Sequence, residues 1–345
     1  MTTAVKKPKG VHLVGSIPLK DSAEVFQALS APLGGRLRRI PDGETGDRSG
    51  WIRWQLQVFI NHPMFELAPA DPDSYTSQQQ HRLRAETAAD QLTFGPLGYA
   101  AAAQFSYAEF LRLKQEGQIP EGCRFQVSLP TPLAPIAGYV VAKDRAVVGQ
   151  AYERRMLEEL EEIISFIPAN ELAVQWDVAV EFRIWESVSP DQAESVKNGL
   201  IEGLVRLGDA IPTEVQLGYH LCYGDSGHKY FMEPVDTANM VEVANRVTSG
   251  VGRAINWIHM PVPHERNDDA YFAPLTNLKL GSDTELYLGL VHFSDGVAGT
   301  QQRIEAAQRV VKDFGVATEC GFGRRSPETI AELLRIHAEV SDPRT

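Results

Sequence analysis

Short runs of apolar and β-branched residues recur along the chain, and most are followed by a stretch with helical spacing. Residues 11–15 read as a first strand, 21–30 as its helix and 36–40 as a second strand. A long excursion over 41–122 follows, with an aromatic-rich stretch at 51–59 and a helix predicted at 99–116. Residues 124–129 give a third strand, which runs into a proline-rich loop at 130–135. The clearest helix is 144–167, where Met156, Leu157, Leu160, Ile163, Ile164 and Ile167 recur at three- and four-residue spacing. Glu158, Glu159, Glu161 and Glu162 lie between them and read as a solvated face. Further strands are predicted at 172–180, 214–222, 255–260, 285–292 and 315–319. Helices are predicted at 190–207, 237–247, 299–314 and 327–340.

Eight strands separated mostly by helices predict a parallel sheet, and eight such units in 345 residues predict an α/β fold closed as one (β/α)8 TIM barrel. The excursion becomes a long insertion after the second strand. No linker-like shift in composition and no internal repeat divides the chain, so residues 1–345 are expected to form a single domain.

The barrel makes the polar residues interpretable, because such barrels carry their chemistry at the C-terminal ends of the strands. Those ends hold Ser16, then Asp42 and Glu44, then Ser128, Asp177 and Glu181, His220 and Cys222, His259, His292 and Cys320. Ser16, Asp42, Glu44, Asp177 and Glu181 are the expected substrate contacts. The charged loop 38–48 reads as a substrate-contact loop or as a solvated turn; no Lys-Ser/Thr follows its glycines, so it is no phosphate loop.

Composition narrows the partners. A net charge of −12 argues against a nucleic-acid or anionic-membrane surface. No run approaches the ~20 apolar residues that span a bilayer. Residues 1–10 carry lysines but no apolar segment behind them, so they do not read as a signal peptide. Three cysteines without a pairing pattern fit a reducing, cytoplasmic compartment. Assembly into a homo-oligomer stays open.

The cysteines suggest metal instead. On a strand, His220 and Cys222 point to one face, and Cys320 at another strand end supplies a third ligand. Imidazole and thiolate donors suit Zn²⁺. His259 is the expected fourth ligand, or else a substrate or supporting contact; Asp225, His264 and Glu265 are lesser candidates. The fourth position can also be left to water or substrate. Cys123 precedes the third strand, away from that rim, and reads as incidental. His292 reads as a general acid or base, or as a structural histidine. Asp177 ends an apolar run and needs a cationic partner, from the protein or from a substrate. The run Cys320-Gly-Phe-Gly-Arg-Arg325 offers two arginines to an anion.

At these residues the chain resembles the catalytic C-terminal barrel of cobalamin-independent methionine synthase and its short archaeal relatives, in the superfamily that also holds uroporphyrinogen decarboxylase. Val14-Gly-Ser-Ile-Pro18 is similar to the family's Gly-Ser-Phe-Pro, and Gln175-Trp-Asp177 to its Gln-x-Asp. His220-Leu-Cys-Tyr223 resembles its His-Met-Cys-Tyr, and Val291-His-Phe-Ser294 the segment holding its proton-donating histidine. Glu319-Cys-Gly-Phe322 resembles its Pro-Asp-Cys-Gly-Leu, with Thr318-Glu319 in place of Pro-Asp. The order of the motifs is kept over nearly the whole chain.

The resemblance implies zinc-dependent alkyl, above all methyl, transfer to or from a small-molecule thiol activated as a metal-bound thiolate, with a separate alkyl donor. His220, Cys222 and Cys320 would be ligands, Asp177 would hold an amino group, and His292 would assist proton transfer. The family's remaining ligand is a glutamate on the strand between the two cysteine positions, where this chain offers His259. The alternative is a zinc lyase or hydrolase with a metal-activated water. A metal sensor without turnover would need only its ligands, and a decarboxylase would not need the two cysteines.

Overall fold

The computed structural model describes residues 6–69, 79–85, 89–225, 227 and 229–344. Part of the lysine-bearing stretch 1–10, and residues 70–78 and 86–88 of the excursion, lie outside the described residues. In chain order the first elements are α1 (Ser22–Leu33), β1 (Arg39–Pro41), α2 (Leu56–Ile60), β2 (Phe65–Leu67), β3 (His81–Leu83) and α3 (Tyr99–Gln115). Then come β4 (Arg124–Pro130), α4 (Leu133–Tyr139), α5 (Arg145–Phe166), β5 (Leu172–Val178), α6 (Val180–Ser187) and α7 (Ala193–Asp209). The last are β6 (Gln216–Leu221), α8 (Ala238–Gly250), β7 (Trp257–Pro261), α9 (Asp269–Phe272), β8 (Glu285–Val291), α10 (Gly296–Val310), β9 (Gly315–Thr318) and α11 (Ile330–Val340).

Seven strands pair in parallel in the order β1-β4-β5-β6-β7-β8-β9, while β2 and β3 form a separate antiparallel pair. Every residue of β5 and of β8 is buried, as expected of parallel strands covered on both faces. The register sets Pro130, Asp177, His220, His259 and Tyr287 in one row across five neighbouring strands. That row fixes which side chains can meet at the centre.

Seven strands, not eight, make up this sheet among the described residues. Residues 11–15 form no strand; Val11 instead makes single parallel bridges to Leu37 and to Val316 of β9. Its amide donates to the carbonyl of Arg36, and the next amide, His12, donates to Val316. The sheet therefore curls until both of its edges reach one residue.

Three other expectations are corrected. The loop 130–135 opens a helix: Pro135 falls in the first turn of α4, where an amide has no helical partner to lose. The fourth strand stops at Val178, and α6 begins at Val180, so Glu181 sits in a helix and not on a strand end. Glu159 is not on a solvated face but only 1% exposed. Its carboxylate accepts from the amides of Leu97, Gly98 (3.1 Å) and Ala100 (3.0 Å) and pairs with Arg155 (3.3 Å). The amides leading into the first turn of α3 are thus held by a side chain from α5. No described helix is long and apolar enough to cross a membrane.

Candidate functional site

His220 and Cys222 lie at the end of β6 and just past it, and Cys320 lies two residues past β9. Their ligand atoms fall within 4.8 Å of one another. The two sulfurs are 3.8 Å apart, and Cys320 Sγ lies 3.7 Å from His220 Nε2. Two sulfurs and a nitrogen on one tetrahedral Zn²⁺ would be separated by about 3.8 Å and about 3.5 Å, so the donor set fits that ion in type and in spacing. The amide of Gly224 donates to Cys222 Sγ at 3.3 Å. The hydrogen-bonding contact with Cys222 Sγ, then burial, pushes the Cys320 thiol up.

His259 does not join this group of three. Its Nε2 donates to the carbonyl of Thr318 at 3.0 Å, so in the neutral ring Nδ1 must accept. His220 Nδ1 lies 2.6 Å away and donates to it. His220 Nε2 is then left with a bare lone pair facing Cys320. Both imidazoles are held neutral: burial, then the neighbouring histidine, drives His220 well below its usual value, and burial brings His259 down to about 3.

A cavity of about 370 Å³ opens over the cluster and takes Ser16, Glu44 and Asp177 into its wall. Gln175 fixes Asp177: its amide nitrogen donates to Oδ1 at 2.9 Å, and its oxygen is held by His12 at 2.8 Å. Burial raises the carboxyls of both Glu44 and Asp177; the Asp177 and Asp42 carboxylates add to the rise at Glu44 against Arg48 and Arg324, and Gln175, Trp51 and Arg324 offset it only in part at Asp177. The half-buried Glu44 and the buried Asp177, only partly offset, suit a cationic group of a ligand.

The loop that carries Glu44 is strained toward this task. Glu44 (φ 48°) and Trp51 (φ 60°) are the only non-glycine residues with positive φ among those described, and both line the cavity. Asp42 holds the turn, accepting from the Glu44 amide at 2.9 Å and pairing with Arg48 at 2.6 Å. Asp42 thus supports the loop and does not line the cavity. Two glycines make the close packing feasible: a Cβ on Gly15 would stand 2.3 Å from Glu44 Oε1, and one on Gly321 would stand 2.4 Å from Ser16 Oγ.

His292 sits in an adjoining cavity of about 330 Å³ that shares Asp225, Lys229 and Tyr230 with the first. Its Nε2 donates to Val262 O at 2.9 Å, and Nδ1 lies 3.5 Å from Glu319 Oε2. Burial lowers its pKa, and the Glu319 carboxylate opposes the shift. Arg325 is paired with Glu319, and Arg324 faces Asp225 at 3.6 Å. His264 pairs with Glu265 and Asp295, away from the cluster. Cys123 is buried, with Lys114 donating to its carbonyl, and takes no part. Glu181 lines a different cavity altogether.

Sequence reasoning missed Trp51, Arg183, Tyr230 and Phe231, all of which line the main cavity. None lies at a strand end. Only the aromatic density of residues 51–59 gave a signal for Trp51.

No protein-family model matches this chain, and no curated protein sequence matches it. Solved structures do. A Listeria monocytogenes protein described by inference as a vitamin B12-independent methionine synthase superposes with a TM-score of 0.57 at 15% identity, covering 97% of each chain. A B12-independent methionine synthase from a Shewanella species, solved with selenomethionine, gives 0.56 at 15% identity over 98% of this chain and 96% of its own. The fold is shared with both.

Proposed function

We propose that this chain transfers an alkyl group, most simply methyl, to or from a small thiol substrate bound at the His220–Cys222–Cys320 cluster. The observation that carries the reading is the set of three Zn²⁺-type donors beneath a cavity whose wall holds two carboxyls, Glu44 and Asp177. We also propose that residues 11–15 take the eighth place of a closed (β/α)8 barrel, with the elements between β1 and β4 as its insertion.

His220 Nε2 and the two sulfurs would hold Zn²⁺; His259 orients the first of them from behind. The ion would supply a Lewis acid that lets a substrate thiol lose its proton near neutral pH. Asp177 and Glu44 bind an ammonium group of the thiol substrate, and Ser16 closes the floor beside Gly321. The apolar faces of Trp51 and Phe231 exclude water, which strengthens each of these contacts. In transfer to the thiol, the sulfur–carbon bond forms as the alkyl donor's carbon–leaving-group bond breaks, the departing group takes the electron pair, and protonated His292, one cavity away and steadied by Glu319, gives it a proton directly or through water. Asp42 keeps the Glu44 turn in place, and Glu181 has no part in this step.

The test is metal content by elemental analysis of the wild type beside Cys222→Ser/Cys320→Ser. About one zinc per chain, absent from the variant, supports the reading. Thiols are then screened by the spectral change they cause in the cobalt-substituted protein. A metal-free wild type, or a variant that keeps its metal, overturns it.

A further inference from the structure

A second cavity, of about 350 Å³, opens between helices α4, α5 and α7. Its walls combine apolar side chains, Leu133, Ile136 and Leu204 among them, the charged Arg145, Glu153 and Arg206, and three glycines: Gly149 of α5, and Gly199 and Gly203 of α7. Gly199 and Gly203 are one helical turn apart and share a face. A Cβ on Gly199 would meet nothing within 4 Å, and on Gly149 or Gly203 its nearest neighbour would be 3.9 Å away. Backbone crowding does not require these glycines, and each costs a helix about 1 kcal/mol relative to alanine. They keep a groove open.

A groove alone is a packing gap; Glu181 makes it more. This residue forms part of the same wall, is only 5% exposed, and its Oε2 has no hydrogen-bond partner. The two arginines that line the same cavity are already engaged. Arg206 grips Glu153 with two bonds of 2.6 and 3.0 Å, and Arg145 donates to the carbonyls of Val140 (2.9 Å) and Ala137 (3.1 Å). Burial raises the Glu181 carboxyl to about 7, opposed only by the Thr131 hydroxyl and the amides of Glu181 and Ala179. A buried carboxyl with an unused oxygen, in a cavity also lined by Leu133, Ile136 and Leu204, complements an N–H donor on an apolar body.

We propose that this groove is a second binding site, for a small amine carrying an apolar chain or ring, with Glu181 accepting from its nitrogen. It lies apart from the cysteine cluster and does not depend on the alkyl-transfer reading.

The probes are n-hexylamine and benzylamine, with hexan-1-ol as the uncharged control, titrated calorimetrically into the full chain. Saturable binding of the amines, roughly tenfold tighter than the alcohol, is expected for one charge-assisted hydrogen bond. Glu181→Gln should erase that tenfold difference. Gly203→Leu, which fills the groove and favours the helix, should abolish binding of all three. Equal binding of amine and alcohol overturns the proposal, as does unchanged amine binding in Gly203→Leu. Should Glu181→Gln fail to fold, Gly203→Leu with the amine–alcohol comparison still decides.

Discussion

The Nδ1 atoms of His220 and His259 lie 2.6 Å apart, and the carbonyl of Thr318 dictates which of them carries the proton. The order runs inward: Thr318 sets the tautomer of His259, and His259 sets that of His220. A ligating histidine whose second nitrogen is held in this way keeps its ring orientation and its basicity. His259→Ala should therefore weaken metal binding about 10- to 100-fold while leaving the three donors in place. Competition with a chromophoric chelator measures this. Affinity equal to wild type would remove His259 from the site.

Gly15 faces the Glu44 carboxylate so closely that a methyl group there has no room. Gly15→Ala should push Glu44 off its position in the cavity wall and weaken substrate binding while metal content stays at the wild-type level. The readout is thiol affinity of the cobalt-substituted protein against its cobalt stoichiometry. A drop in both, or in neither, contradicts this role for Glu44.

Glu159 holds three amides of the segment entering α3. Glu159→Ala strands them in a buried position and should cost about 3 kcal/mol of stability, seen as a lower urea midpoint. Glu159→Gln keeps an acceptor and should cost less. A loss under about 0.5 kcal/mol for the alanine variant would mean that water replaces the cap.

His337 of α11 is fully buried, and that burial brings its pKa down to about 4, below the unfolded value. The unfolded chain therefore binds more protons between those values. The stability from this residue is complete above about pH 6.5 and is lost as the pH falls toward 4. Over that window the unfolding free energy should fall by up to about 1.4 kcal/mol per pH unit through this one group. His337→Leu also removes a buried, unpartnered Nε2. Its pH slope should be shallower by that amount; identical slopes would contradict the assignment.

Much of this geometry was legible in the residues. His220, Cys222 and Cys320 were found because period-two spacing and strand-end position are both written locally. Seven predicted strands have counterparts in the sheet for the same reason. The limits were tertiary. Residues 11–15 have strand-like side chains, but only Val11 bridges to both edges, which no local pattern reveals. Glu181 was misplaced because β5 ends two residues early and a helix begins, and nothing in the apolar run marks that change. His259 shares a row with His220, so its proximity was predictable; its engagement by Thr318 was not. Glu159 looked like its neighbours on α5, and only the α3 amides set it apart.

Val11 meets Leu37 near the start of the chain and Val316 near its end, and the two sulfur donors are 98 residues apart in sequence. During synthesis, β1 through β8 would be on hand while one edge still waited for β9. Such an edge is exposed to wrong pairing until the last strand arrives. Cys320 arrives with it, so the same late event shuts the edge and brings the final sulfur beside the first. A chain without β9 can present His220 and Cys222 but not Cys320, so the proposed ion site would be completed only as that strand docks.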